Sequence, residues 1–282
     1  MRHPHEWRRP IERHIAKVSF VTALRGIDVR LRLARLLCVT DARRRSGDLS
    51  EFAAGVMNAG VDVIQLRDDR ATDAEKLSAL DVLRTAALRP QGLVSVYADL
   101  DLAREFGADV LHVPKGRPDS ERARRAVHRW AKLGRSCYTT KDVDAALADD
   151  EIDFLSVGPT FGGLPLFGRP PGLELVRYAA EAAPPAQPGA KPWFAMGGIT
   201  VSRLDEVLAA GARRVAVGRA ICAADDPVAA TTALATTVGA AWGDAMDSFT
   251  LDAVAKEGSF RPIVDETEDP DRPKLDPDSE QE

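Results

Sequence analysis

Two short glycine motifs, MGGI at 196–199 and VGRAI at 217–221, carry the clearest chemical signal in the chain. Glycine has no Cβ, so backbone N–H groups in such turns can approach an anion closely, and a helix opening just afterwards adds partial positive charge. Taken singly, each motif is equally an ordinary tight turn. They close consecutive strand-like runs, PWFAMGG (192–198) and RRVAVG (213–218), and as a pair they point to a phosphate cradle at Gly197, Gly198 and Gly218. Arg219 either adds charge there or points outward. Other residues with usable chemistry end earlier apolar runs: Gln65 and Arg67, His112 with Lys115 and Arg117, Ser136 and Tyr138. Lys115 and Arg117 are anion contacts or exposed loop charges. Tyr138 is a proton donor, a stacking surface or a plain aromatic wall. His112 reads as a structural hydrogen-bonding residue. Asp68, Asp69 and Asp99 form a cation site or a solvated face.

These residues need a scaffold that brings strand ends together, and the alternation of the chain supplies one. Short β-branched runs at 36–40, 61–66, 92–97, 109–113, 134–138, 153–158, 192–198 and 213–218 predict eight strands. Amphipathic stretches between them predict helices at 48–60, 72–88, 172–183 and 225–242, a helix ended by Gly107, one capped by Thr139 or Thr140, and one running from a Ser202 cap to a Gly211 stop. Strict β/α alternation demands right-handed crossovers and a parallel sheet. Eight such units predict an α/β fold of the closed (β/α)8 TIM-barrel type, whose chemistry sits at the C-terminal strand ends. An open doubly wound sheet would want a GxGxxG after its first strand, and none is there.

Bulk properties bound the rest. With 45% hydrophobic and 29% charged residues, the 282-residue chain has a globular composition. It has no apolar run long enough to span a bilayer and no secretory h-region at its start. Cys38, Cys137 and Cys222 match no metal spacing and read as buried free thiols, which points to a cytoplasmic location. Residues 1–35 hold nine Lys/Arg against three Asp/Glu, and residues 261–282 hold nine Asp/Glu against three Lys/Arg. The expected organisation is a basic N-terminal extension over 1–34, a barrel over 35–243 and an acidic, largely disordered tail over 244–282. The basic stretch lacks an aromatic-interleaved or helix-turn-helix pattern, so neither nucleic acid nor membrane is an expected partner. Homo-oligomerisation is left open. The apolar loop GGLPLFG (162–168) is expected to cover the pocket mouth or meet another subunit.

Over about residues 35–242 the chain resembles the thiamine phosphate synthase family, most closely its actinobacterial members. The stretches that carry the likeness are LLCVTDARRRSGDLSEF, AGVDVIQLRD, GADVLH, GRS, VGPTF, GRPPGLELVR, KPWFAMGGI, AGARRVAV and ADDP. The family joins an aminopyrimidine diphosphate to a thiazole phosphate and releases pyrophosphate, with Mg²⁺ and basic side chains holding the leaving group. The resemblance therefore implies a role in thiamine biosynthesis and a thiazole phosphate-like ligand. It also implies substrate contacts from Gln65, Arg67, Ser136, Gly197, Gly198 and the turn at Gly218. At other family positions the residues differ. A family lysine is Asp69, and the Asn-Asp pair is Tyr97-Ala98. The Gly-Gln-x-Asp run is Pro114 to Arg117, a histidine is Tyr138, and a Thr-x-Thr-Lys loop is Gly163 to Leu166. Ala98 and Arg117 thus stand where Mg²⁺ ligands are implied, so no metal and no firm cofactor is expected. Arg67 and Tyr138 remain as candidate catalytic residues. The alternative to the family transfer is a divergent paralogue, isomerase-like or a binding and regulatory protein, that holds a small phosphate ligand.

Overall fold

Residues 25–162, 172–243, 246 and 249 are described by the computed structural model of the chain. Eight strands run in sequence order around a closed barrel: β1 (Leu36–Thr40), β2 (Val63–Leu66), β3 (Leu93–Tyr97), β4 (Val110–Val113), β5 (Lys132–Cys137), β6 (Phe154–Val157), β7 (Trp193–Met196) and β8 (Val215–Val217). All pairs are parallel, and β8 returns to β1 with Cys38 opposite Val217. The expected TIM barrel is therefore present.

The strands are largely apolar because both their faces are covered. One face packs on the helices, with Leu36, Cys38, Ile64, Val94, Leu111 and Leu155 in the outer core. The other face fills the barrel with Leu37, Val63, Leu93, Val110, Phe154, Phe194 and Ala216. Side chains alternate along a strand, so the next inward position lies two residues on, toward the C-terminal mouth. On β2 to β6 that position is Gln65, Ser95, His112, Ser136 and Ser156, all buried. A polar layer thus sits directly on an apolar one.

The helices are α1 (Ile27–Leu33), α2 (Leu49–Asn58), α3 (Asp73–Leu88), α4 (Leu100–Phe106), α5 (Ser120–Ala126), α6 (Thr140–Ala148), α7 (Glu174–Ala182), α8 (Leu204–Ala209), α9 (Arg219–Cys222) and α10 (Pro227–Trp242). Thr139 caps α6 in a reciprocal box with Asp142, and Gly107 ends α4 in the left-handed region, both as expected. Ser202 does not cap α8. Its hydroxyl meets the Thr200 hydroxyl at 3.0 Å, and the helix opens through a 3-10 turn at Val201–Arg203 with no side-chain cap. Helix α5 answers to no expected element; it buries only Ala123 and Ala126.

The barrel body also extends beyond the expected boundaries at both ends. Helix α1, inside the stretch assigned to the basic extension, closes the N-terminal pole, where Leu31 joins the interior cluster with Phe154 and Phe194. Arg30 donates to the carbonyl of Gly92, and Lys132 pairs with Asp28 at 2.7 Å. At the other end Met246 and Phe249, inside the stretch assigned to the acidic tail, are buried. Phe249 lies edge-on to Trp242, and both rings flank the buried guanidinium of Arg214. The rest of the basic stretch, the rest of the tail and the loop 163–171 lie outside the described residues.

The floor of the barrel uses one device three times. An aspartate just before an even strand accepts backbone N–H groups from the odd strand beside it. Asp62 accepts from Arg35 (2.7 Å) and Leu36 (2.9 Å), Asp109 from Val94 (2.9 Å) and Asp153 from Leu133 (2.8 Å). These N–H groups start the strands and would otherwise be buried without acceptors. The braces hold strand register, and register sets which residues face the mouth.

Candidate functional site

At the C-terminal mouth lies a cavity of about 620 Å³. Gln65, Arg67, Ser136, Tyr138, Gly197, Gly198, Gly218 and Arg219 all line it. Lys115 and Arg117 do not. Lys115 is ion-paired with Asp142 at 2.8 Å, and Arg117 is exposed in the loop after β4. Leu37, Val39, Met196, Ile199 and Val217 supply apolar wall, and Tyr97, His112, Ser156 and Thr200 further polar wall.

The glycine side of the cavity is shaped by strand-end loops zipped together. The N–H of Thr160 donates to the carbonyl of Met196 (2.8 Å), and that of Phe161 donates to Gly197 (2.7 Å). So close an approach excludes side chains at both glycines. A Cβ on Gly197 (φ +100°) would stand 2.7 Å from Pro159 Cα, and one on Gly198 (φ +67°) only 2.1 Å from the Phe161 carbonyl oxygen. At the end of the neighbouring strand β8, Gly218 opens α9, which has four residues. So short a helix contributes little macrodipole, and any anion held there depends on local backbone N–H groups and on Arg219.

The polar side of the cavity is a connected set. Gln65 Oε1 accepts from Ser95 Oγ at 3.3 Å and lies 2.9 Å from His112 Nδ1, while His112 Nε2 is 3.0 Å from Ser136 Oγ. Burial pushes the His112 pKa down to about 3, with the nearby Arg67 and Arg135 charges acting in the same direction. The ring is therefore neutral at ordinary pH. Tyr97 meets it edge-on at 5.4 Å and carries Arg67 over its own ring at 4.5 Å. Burial also raises the Tyr97 pKa, which keeps the phenol protonated. Sequence reading placed His112 correctly as a hydrogen-bonding residue but did not single out Ser95, Ser156 or the ring of Tyr97. The available signal was a polar residue inside an otherwise apolar strand.

Arg67 and Tyr97 are also shared with a second hollow of about 420 Å³ on the outer side, which holds Asp68, Asp69, Asp99 and Asp101 beside Lys76 and Arg122. Two of these carboxylates have other work. Asp68 accepts N–H groups from Ala42, Arg70 and Ala71, and Asp99 caps α4 while facing Lys76 at 3.6 Å. Among the described residues no three His, Cys, Asp or Glu side chains converge to hold a metal. Ala98 offers no side-chain oxygen and Arg117 brings positive charge, so the residues at the implied ligand positions do not fit Mg²⁺. Among the described residues, no helix is long and apolar enough to cross a membrane.

A family profile described as "Thiamine monophosphate synthase" matches residues 36–221. A thiamine-phosphate synthase of Saccharopolyspora erythraea is 43% identical over 220 residues, covering 76% of this chain and 97% of that one. One of Mycolicibacterium smegmatis is 43% identical over 222 residues, covering 75% and 95%. A solved thiamine phosphate pyrophosphorylase from Pyrococcus furiosus superposes with a TM-score of 0.66 at 27% identity, over 76% of this chain and 100% of that one. The chain belongs to the thiamine monophosphate synthase family.

Proposed function

We propose that this protein binds a small phosphorylated azole of the thiazole phosphate type in the barrel mouth, and that it does so without the Mg²⁺-dependent pyrimidine transfer of its family. The observation that carries the reading is the single cavity that joins both glycine turns to the Gln65–His112–Ser136 set. Gly197, Gly198 and Gly218, helped by Arg219, take the phosphate. Gln65 and Ser136 face the ring, Tyr138 stacks on it or hands it a proton, and Arg67 stands at the anionic edge. The metal half of the family site has no counterpart, because Ala98 and Arg117 stand at its ligand positions. Without such ionic groups, transition-state stabilisation falls by on the order of 3 kcal/mol for each one lost.

The family reaction itself is the second reading, favoured by 43% identity along nearly the whole length of a curated synthase. Two measurements separate them. Calorimetric titration of thiazole phosphate, with and without Mg²⁺ and inorganic pyrophosphate, is expected to give binding that ignores both. An end-point assay with both family substrates and Mg²⁺ is expected to give no thiamine phosphate. Product above a no-enzyme control would overturn the first reading. Turnover of the bound thiazole phosphate to an isomer would distinguish an isomerase-like enzyme from a binding or regulatory protein.

A further inference from the structure

We infer that His112 is a positioning residue of the cavity: its Nδ1–H tautomer fixes the Gln65 amide with its N–H₂ toward the ligand, and so selects a ring that offers an unprotonated nitrogen. This rests on the ring half of the function proposed above and names the chemistry which that half recognises.

The argument is a count of protons and lone pairs. Neutral imidazole has one N–H and one bare nitrogen. Gln65 Oε1 faces His112 Nδ1 at 2.9 Å, and a carboxamide oxygen only accepts, so the imidazole proton is on Nδ1. Nε2 is then bare, and Ser136 Oγ, 3.0 Å away, must donate to it. Tyr97 closes the set from the side, edge-on to the His112 ring at 5.4 Å. Ser95 Oγ donates to the second lone pair of Gln65 Oε1 at 3.3 Å. With both lone pairs engaged, that oxygen has nothing to offer a ligand. The amide N–H₂ remains for the cavity that Gln65 lines. All five groups are locked by strands of a closed barrel, so the direction is set before a ligand arrives. A donor held in a buried site favours a ligand acceptor and penalises a group that cannot accept.

One experiment has two arms. In the first, imidazole ¹⁵N spectra of the whole chain are recorded without ligand. A protonated Nδ1 and a bare Nε2 are expected, and the opposite tautomer would overturn the inference. In the second, calorimetry compares thiazole phosphate with its thiophene isostere, which lacks only the ring nitrogen, and with inorganic phosphate. The thiazole ester should bind about 10-fold tighter than the isostere, a difference of about 1.4 kcal/mol. His112→Asn, whose amide can still donate toward Gln65, should keep most of that preference. His112→Leu should abolish it while leaving the affinity for inorganic phosphate unchanged, a split that a merely structural histidine would not produce. Equal affinity of the native chain for the two esters would overturn the inference. Failure of both esters to bind would instead sink the proposed function, and the spectra would still decide the tautomer.

Discussion

The two sides of the glycine cradle should respond differently to the same substitution. Gly198 has φ +67°, and an added Cβ would meet the Phe161 carbonyl oxygen at 2.1 Å and its carbon at 2.7 Å. Both are backbone atoms, and Phe161 is tied back to Gly197 by a 2.7 Å hydrogen bond, so neither can simply rotate away. Alanine in the left-handed region costs about 1–2 kcal/mol, and overpacking of a tight site about 1–3 kcal/mol more. Gly198→Ala should therefore lose about 2–5 kcal/mol of stability in urea unfolding. Gly218 has φ −113°, and a Cβ there would stand 3.3 Å from the Val39 carbonyl oxygen, with Val39 Cβ at 3.8 Å. Its substitution should cost less than about 1 kcal/mol. It does place a methyl group where an anion would approach the backbone, so calorimetry should show inorganic phosphate binding weakened at least about 10-fold. Native-like stability of Gly198→Ala would refute the steric argument. Native-like phosphate affinity of Gly218→Ala would refute the cradle.

Acid should destabilise the protein through His112. Its folded pKa is about 3 and the unfolded value about 6.5, so the unfolded chain takes the proton first. The contribution is complete above pH 6.5 and is lost at about 1.4 kcal/mol per unit as pH falls toward 3. Between pH 7 and pH 4.5 the native chain should therefore lose on the order of 3 kcal/mol more than His112→Asn in urea unfolding, and equal losses would refute the buried neutral histidine. At the floor, Asp62→Ala removes the acceptor of the Arg35 and Leu36 N–H groups and should cost about 2–4 kcal/mol, while Asp62→Asn, which keeps one oxygen, should cost less. Leu31→Ala should cost about 2–5 kcal/mol if α1 is a true part of the core, and nothing measurable if it is a loose extension.

The barrel was legible because most strands are mainly apolar and crossovers are closed by turn chemistry, as at Gly107 and Thr139. The misreadings have equally local causes. In α1 the apolar residues Ile27, Val29, Leu31 and Leu33 alternate with charged ones, a period that suggests a strand, and the helix gains its stability from docking under the barrel. In α5 the sequence SERARRA has only alanine to bury, so no amphipathic stripe appears. Met246 and Phe249 precede the acidic run by too few residues to change its composition, yet both are buried.

The site was legible where backbone chemistry dictates residue type and obscure where side chains cooperate across strands. Gly197 and Gly198 are recognisable because only glycine fits the close approaches there, while Gly218 is recognisable only as a turn glycine at the end of β8. Lys115 and Arg117 carry the right charge for a phosphate site, but charge says nothing of direction, and Asp142 holds Lys115 away from the mouth. Gln65, Ser95 and Ser136 are separated by 30 and 41 residues, and nothing in their local patterns announces a common partner. The closed barrel brings them together, with Gln65 opposite Ser95 on the neighbouring strand and His112 reaching Ser136 at 3.0 Å. The hydrogen-bonded set of Gln65, His112 and Ser136 is thus a property of the closed barrel. Any substitution that slips a strand by one residue would turn these polar groups outward and leave the glycine cradle without a ring site beside it.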